Sequence, residues 1–338
     1  DNKIPYCNLH LPLVFSFFAI HQMASLIIES PNALTPSTGK SNTPATSSSA
    51  INNNGETKTT SPTTTKASPT TTKASTFVLG SLPLHPDEIQ KWGRPDSLTK
   101  AETITLAEFR SLVDPKELAL RKMDHENDTT CLLRVLRADD FKIDLCKEAW
   151  DRSVAWHKKN QVWENLDRSA AEIVWNGKIT TKQLCKKYPT GVKGVDRRGR
   201  PLSYKLSGIM DQSLFDDATL DDIIRWEVIV ASMTVRHWLP KCSLDSGYHV
   251  ENYVQIVDLA GMTVTSFGSN MRAALKGSIE VCGFNFPESM GATFVINSPW
   301  YFRTVWSIVR TFMAAETVAK TFVCGSTKEL LKHIDPDM

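Results

Sequence analysis

The chain has 338 residues, a formal net charge of +2 and 22% charged residues. That length carries one or two domains, and so small a net charge argues against a nucleic-acid partner. Seven cysteines, at 7, 131, 146, 185, 242, 282 and 324, form no C-x-x-C pair and accompany no histidine cluster, so neither a zinc site nor a disulfide framework is indicated. Buried, reduced thiols in a cytosolic setting are expected instead.

Residues 1–30 read as a leader or untranslated-derived segment. The run from Leu9 to Ile20 is apolar but lacks a basic n-region, since Lys3 stands alone. It is also short of the ~20 residues that span a bilayer. Met23 offers a second start; a genuine membrane-targeting segment is the alternative. Residues 31–80 form a Ser/Thr-rich linker. Between 35 and 76, 22 of 42 positions are Ser or Thr, and Ser-Pro-Thr-Thr-Thr-Lys-Ala occurs twice in tandem, at 61–67 and 68–74. Such a segment buries too little apolar surface to offset chain entropy and is expected to be disordered.

Residues 81–187 read as helices. Leu132, Leu133, Val135 and Leu136 form an apolar stripe with Arg134 and Arg137 beside it. A further helix follows Asp144, a reasonable N-cap. From Gly191 the pattern changes. Short β-rich runs at 201–206, 253–258, 292–297 and 321–324 alternate with helical stretches at 221–239, 269–282 and 300–313. That alternation requires crossover connections and predicts a largely parallel sheet flanked by helices, an α/β fold. Residues 191–199 are glycine-rich but lack a Gly-Lys-Ser/Thr and are read as a hairpin or turn. Arg197, Arg198 and Arg200 are read as a solvated basic turn.

Residues 300–313 read Trp-Tyr-Phe-Arg-Thr-Val-Trp-Ser-Ile-Val-Arg-Thr-Phe-Met. On a helix, Arg303, Ser307 and Arg310 share a narrow polar strip and apolar side chains cover nearly all the rest. Two readings stay open: a helix buried on both sides, or a lid with one face on an apolar chamber and the other on a bilayer. Next, Thr317 and Lys320 lie three apart and face one way on a helical turn, a hydroxyl and an ammonium suited to a phosphate. No His-Glu-x-x-His pair, no Gly-x-Ser-x-Gly elbow and no paired catalytic acids occur, so an enzyme is not expected.

Together these pieces resemble the CRAL-TRIO family, in particular phosphatidylinositol-transfer proteins of the secretory pathway. The matching text is Leu132-Leu-Arg-Val-Leu-Arg-Ala138 with Phe141, Asp196-Arg-Arg-Gly-Arg-Pro201, Leu239-Pro-Lys-Cys-Ser243, Asp258-Leu-Ala-Gly261, Phe286-Pro-Glu-Ser-Met-Gly291, Ile296-Asn-Ser-Pro-Trp300 and Thr317-Val-Ala-Lys320. The resemblance implies a helical N-terminal bundle over 81–187 and a lipid-binding domain over 188–338, truncated at its C-terminus. It implies no cofactor beyond one bound lipid, a phospholipid of the phosphatidylinositol type, exchanged between membranes by a monomer. Its setting would be cytoplasmic, peripherally associated with Golgi, endosomal or other internal membranes. Glu288 would accept hydrogen bonds from inositol hydroxyls, and Thr317 and Lys320 would take the phosphate. Tyr204, Tyr253 and Gln255 would line the lipid. Phe302, Val305, Trp306, Val309, Phe312 and Met313 would form a mobile gate.

Three departures stand out. Asp139 and Asp140 occupy places where the family carries two basic residues, which should weaken phosphate binding. Tyr253 and Gln255 replace small hydroxyl residues that contact phosphatidylcholine. Ala314-Ala315 stand where many relatives have Asp-Pro. The alternatives are therefore a carrier of a neutral hydrophobic ligand, such as a sterol or a tocopherol-like molecule, and a lipid-sensing regulatory module tethered by the Ser/Thr-rich segment.

Overall fold

The computed structural model describes residues 80–160, 173–324, 330–332 and 334. The expected leader and most of the expected linker lie outside the described residues. Helices come first: α1 (Lys100–Leu112), α2 (Pro115–Arg121), α3 (Asp128–Ala138), α4 (Ile143–Asn160) and α5 (Thr181–Lys187). The N-cap logic of α1 is plain in the sequence. Thr99 accepts from the Glu102 amide while Glu102 reaches back to the Thr99 amide at 2.7 Å, so two amides left orphaned by the helix start are satisfied. Asp144 is not the cap of α4. The helix begins one residue earlier, at Ile143, and Asp144 sits in its first turn, where a carboxylate still favours the positive helix end.

The α3 stripe is buried whole, and Arg134 and Arg137 are buried with it. α3 ends in a Schellman turn: the Phe141 amide donates to the Leu136 carbonyl at 2.8 Å and the Asp140 amide to Arg137 at 3.3 Å. Asp140 therefore takes the left-handed position, φ 52°, usually given to glycine. Leu132, Leu133 and Leu136 pack with Phe109, Val113, Leu118, Trp150 and Val154 into the helical core.

The sheet contains β1 (Thr190–Val195), β2 (Pro201–Lys205), β3 (Tyr253–Asp258), β4 (Met290–Ile296) and β5 (Thr321–Val323), in spatial order 1-2-3-4-5. β1 and β2 are an antiparallel hairpin around the turn at 196–200; the remaining pairs are parallel. β1 was not among the expected strands, because Gly191 and Gly194 hide its pattern. The expected 221–239 helix is interrupted. α6 (Leu220–Met233) runs into a wide π turn (Thr234–Trp238) and restarts as α7 (Leu239–Ser246). Pro240 has no N–H to continue the ladder, which accounts for the break. The chain then passes through α8 (Ser269–Asn285), α9 (Phe302–Val309) with a 3₁₀ turn to Phe312, and α10 (Ala315–Ala319).

With neighbouring strands joined in order, right-handed crossovers put every connecting helix on one face. Side-chain clusters agree. Tyr253 packs with Val228, Val235 and Leu239 of the α6–α7 connection. Val257 and Val295 pack with α8 and α9. The opposite face carries Leu202, Tyr204, Val254, Ala292, Phe294 and Ile296, which pack against Cys324, Leu330 and Ile334. No described helix is long and apolar enough to cross a membrane.

Candidate functional site

Three loops meet at the N-terminal edge of the parallel strands. The Tyr253 amide opening β3 donates to the Ser289 carbonyl at 2.9 Å, and the Thr293 amide of β4 donates to the Lys320 carbonyl at 2.9 Å. These bonds bring Glu288, Thr317 and Lys320 to one place. Lys320 Nζ lies 3.2 Å from both Glu288 oxygens and 2.5 Å from Glu316 Oε1. Thr317, half-buried, lies on α10 three residues before Lys320, and its carbonyl accepts from Thr321 Oγ1 at 2.8 Å.

Glu288 holds φ 59°, a left-handed conformation that costs a non-glycine residue roughly 1–2 kcal/mol. Two contacts sustain it. Ser289 Oγ donates to the Phe286 carbonyl at 2.6 Å, and Arg134 Nη1 donates to the Pro287 carbonyl at 3.1 Å. Arg134 is in turn gripped by Glu126, with Nε to Oε1 at 2.8 Å and Nη2 to Oε2 at 3.2 Å. The helical region thus fixes the loop that presents Glu288. Burial pushes the Glu288 carboxyl above its ordinary range, Glu316 adds to that rise, and Lys320 and Arg137 oppose it.

A second buried network lies alongside. Glu251 accepts from Arg137 at 2.5 Å and pairs with Arg94, which also meets Glu88 at 3.0 Å. Burial works to raise the Glu251 carboxyl, but Arg137, Arg94 and His249 outweigh it and hold the group well below the usual carboxylate range. Lys91, 2.8 Å from Glu88, also feels the charges of Arg94, Arg200 and Lys320. Arg200 and Arg198, expected in a solvated turn, are instead engaged with Asp196 and Glu88. None of Lys91, Glu251 or Glu316 stood out in the sequence, and Arg137 did so only as a neighbour of the α3 stripe. Only the Glu316–Lys320 spacing of four on a helical turn could have flagged one of them.

Asp139 and Asp140 lie in the turn that ends α3, and Asp140 takes its left-handed position. Tyr253 and Gln255 point to the helix-covered face of the sheet; Tyr204 points to the other, so the strand residues named from the sequence are divided between two faces.

α9 crosses the helix-covered face. Phe302, Val305 and Val309 are buried against Leu259, Met262, Phe267 and Val295, with Trp306 and Met313 half-buried at the margin. Phe312, in the following turn, is also half-buried. The expectation of an apolar circumference is corrected. Arg303, Thr304, Ser307, Ile308 and Arg310 are exposed, because side chains three and four apart define one buried stripe. The reading of a helix buried on both sides is overturned: it is buried on one side only, and its outer side is polar apart from Ile308 and the flanking Trp300, which is 90% exposed. The Tyr301 hydroxyl ties the start of α9 to the Met262 carbonyl. A separate cleft of about 550 Å³ lies between the N-terminal ends of α6 and α8, lined by Asn176, Phe215, Asp217, Thr219 and Asn270; the named lipid-lining residues are not part of it.

The fold is similar to that of the crystal structure of Sfh5. That likeness has a TM-score of 0.54 at 14% identity, over 69% of this chain and 83% of that one, and bears on the fold alone. A model of the CRAL/TRIO domain matches residues 186–338. A CRAL-TRIO domain-containing protein of Saccharomyces cerevisiae is 30% identical over 248 residues, covering 72% of this chain and 77% of the relative. The chain belongs to the CRAL-TRIO family. Other relatives are a phosphatidylinositol/phosphatidylcholine transfer protein of Arabidopsis thaliana, 29% identical over 67% of this chain, and the SEC14 cytosolic factor of Yarrowia lipolytica, 30% identical over 69%. This chain spans 40% and 45% of the length of those two proteins.

Proposed function

We propose that the protein is a lipid carrier that holds one phospholipid of the phosphatidylinositol type and exchanges it between membranes, associating peripherally with internal membranes and acting as a monomer. The observation that carries this reading is the Glu288–Lys320 pair, a carboxylate for ring hydroxyls and an ammonium for phosphate, at the sheet edge to which α9 and α10 lead. Thr317 supplies a neighbouring hydroxyl. Tyr253 and Gln255 line the same sheet face further in, and Tyr204 acts from the other face. The gate is α9 with Phe312 and Met313. Burial of Phe302, Val305 and Val309 is worth about 5–9 kcal/mol, so α9 lifts only where acyl chains or a bilayer replace the contacts it leaves. Trp300, Arg303 and Arg310 on its outer side suit the headgroup layer. The name of the Arabidopsis relative, a phosphatidylinositol/phosphatidylcholine transfer protein, supports transfer rather than catalysis.

The experiment is extraction of the purified protein's lipid for mass spectrometry, with a liposome transfer assay. An inositol phospholipid and measurable transfer are expected; absence of both refutes the proposal. A neutral hydrophobic ligand is the second reading, favoured by one observation: Lys320 already faces two carboxylates. Lys320→Ala separates the two, since it removes binding of a phosphate-bearing lipid and leaves binding of a neutral one unchanged.

A further inference from the structure

Lys320 Nζ donates to the Glu288 carboxylate, 3.2 Å from both oxygens, and forms an ion pair with Glu316 Oε1 at 2.5 Å, so two carboxylates already face the one ammonium. The two acids differ in freedom. The Glu288 side chain is 16% exposed and sits on a loop clamped by Arg134. The Glu316 side chain is 53% exposed and lies one turn before Lys320 on α10 and its cap, free to rotate into water.

We propose that Glu316 is a specificity-determining residue that occupies the phosphate's place on Lys320, so that an anionic lipid headgroup enters only by displacing it. This rests on the phosphoinositide reading of the Glu288–Lys320 site and deepens it. The phosphate and the Glu316 carboxylate are both anionic acceptors for one ammonium and repel each other across it. Glu288, on its clamped loop, stays on the ammonium, whereas Glu316 is the exposed carboxylate that can swing away. Arg137, the other cation whose charge reaches Glu288, is committed to Glu251 and does not relieve the competition. The carboxylate thus lowers phosphoinositide affinity while leaving a neutral ligand unaffected.

The test uses the full chain as wild type, Glu316→Gln, Lys320→Ala and the double variant. Uptake is measured from phosphatidylcholine vesicles carrying a fluorescent phosphatidylinositol and, separately, a fluorescent sterol. Glutamine keeps the side-chain shape and removes the charge. Exposed ion pairs are weak, so Glu316→Gln is expected to bind phosphatidylinositol about two- to fivefold more tightly, with sterol uptake and Tm unchanged. The double variant should match Lys320→Ala, since the competition requires the ammonium. Phosphatidylinositol uptake equal to or weaker than wild type in Glu316→Gln, with Lys320→Ala still losing it, overturns this inference and leaves the headgroup site standing. If Lys320→Ala binds as wild type does, both the site and the inference fall.

Discussion

Glu251 ties the helical region to the sheet domain, and neutralising it is the sharpest test of how the site is held. The residue is 5% exposed and immediately precedes β3. It faces Arg137 from α3 and Arg94 from the segment before α1, both of them buried. Glu251→Gln leaves Arg137 without its carboxylate partner and Arg94 with Glu88 alone, in a site closed to water. Breaking a buried ion pair from one side costs about 3–5 kcal/mol, because the surviving charge stays desolvated. For a chain of this size each kcal/mol lowers Tm by roughly 2–4 °C, so a fall of about 6–20 °C is expected. Circular dichroism melts of the full chain, wild type beside variant, measure it. Lys320 should suffer as well, because Arg137 reaches Glu288 as well as Glu251, and phosphatidylinositol uptake should drop even below the melting range. A Tm within about 2 °C of wild type would mean that water reaches the network and that the two regions are joined by apolar contact alone.

Two other outcomes follow from the same coordinates. Burial, aided by His249, lowers His125 to about 4, and burial with Arg121 and Arg134 lowers His157 to about 3. Unfolded histidines take a proton near pH ~6.5 while the folded ones stay neutral, so stability is greatest above that pH and declines as pH falls. The slope approaches about 2–3 kcal/mol per pH unit between pH ~5.5 and 4, with Glu288 working in the opposite sense. Urea midpoints at neutral and acidic pH read this directly, and an unchanged midpoint at pH ~5 would contradict it. At the gate, Trp300→Ala removes an exposed ring without touching the buried stripe of α9. It should slow transfer between vesicles with no loss of Tm, whereas a stability loss without a transfer defect would make Trp300 a structural residue.

Much of this protein is legible from the chain alone. Alternating short apolar runs and helical stretches gave the α/β class, the parallel pairing and four of the five strands to within a residue or two. Those features depend on local periodicity. Glu288, Thr317 and Lys320 were also reachable, through resemblance, though nothing local says that residues 288 and 320 would meet. The misses have separate causes: β1 was obscured by two glycines, the α6 interruption arose from a proline at a helix restart, and Arg200 was drawn out of a solvated turn by Asp196 and burial. Asp139 and Asp140, which depart from the family's basic pair, sit in a helix-end turn whose left-handed position only the folded chain reveals.

What the sequence determined by itself is the set of elements and their hydrophobic faces, because hydrogen-bond geometry and side-chain period act over a few residues. What only the tertiary structure decided is which charges share a site, that Tyr204 and Tyr253 lie on opposite faces, and that α9 is covered on one side. Those outcomes depend on strand register and crossover handedness, which bring distant residues within a few ångströms and carry no local signature.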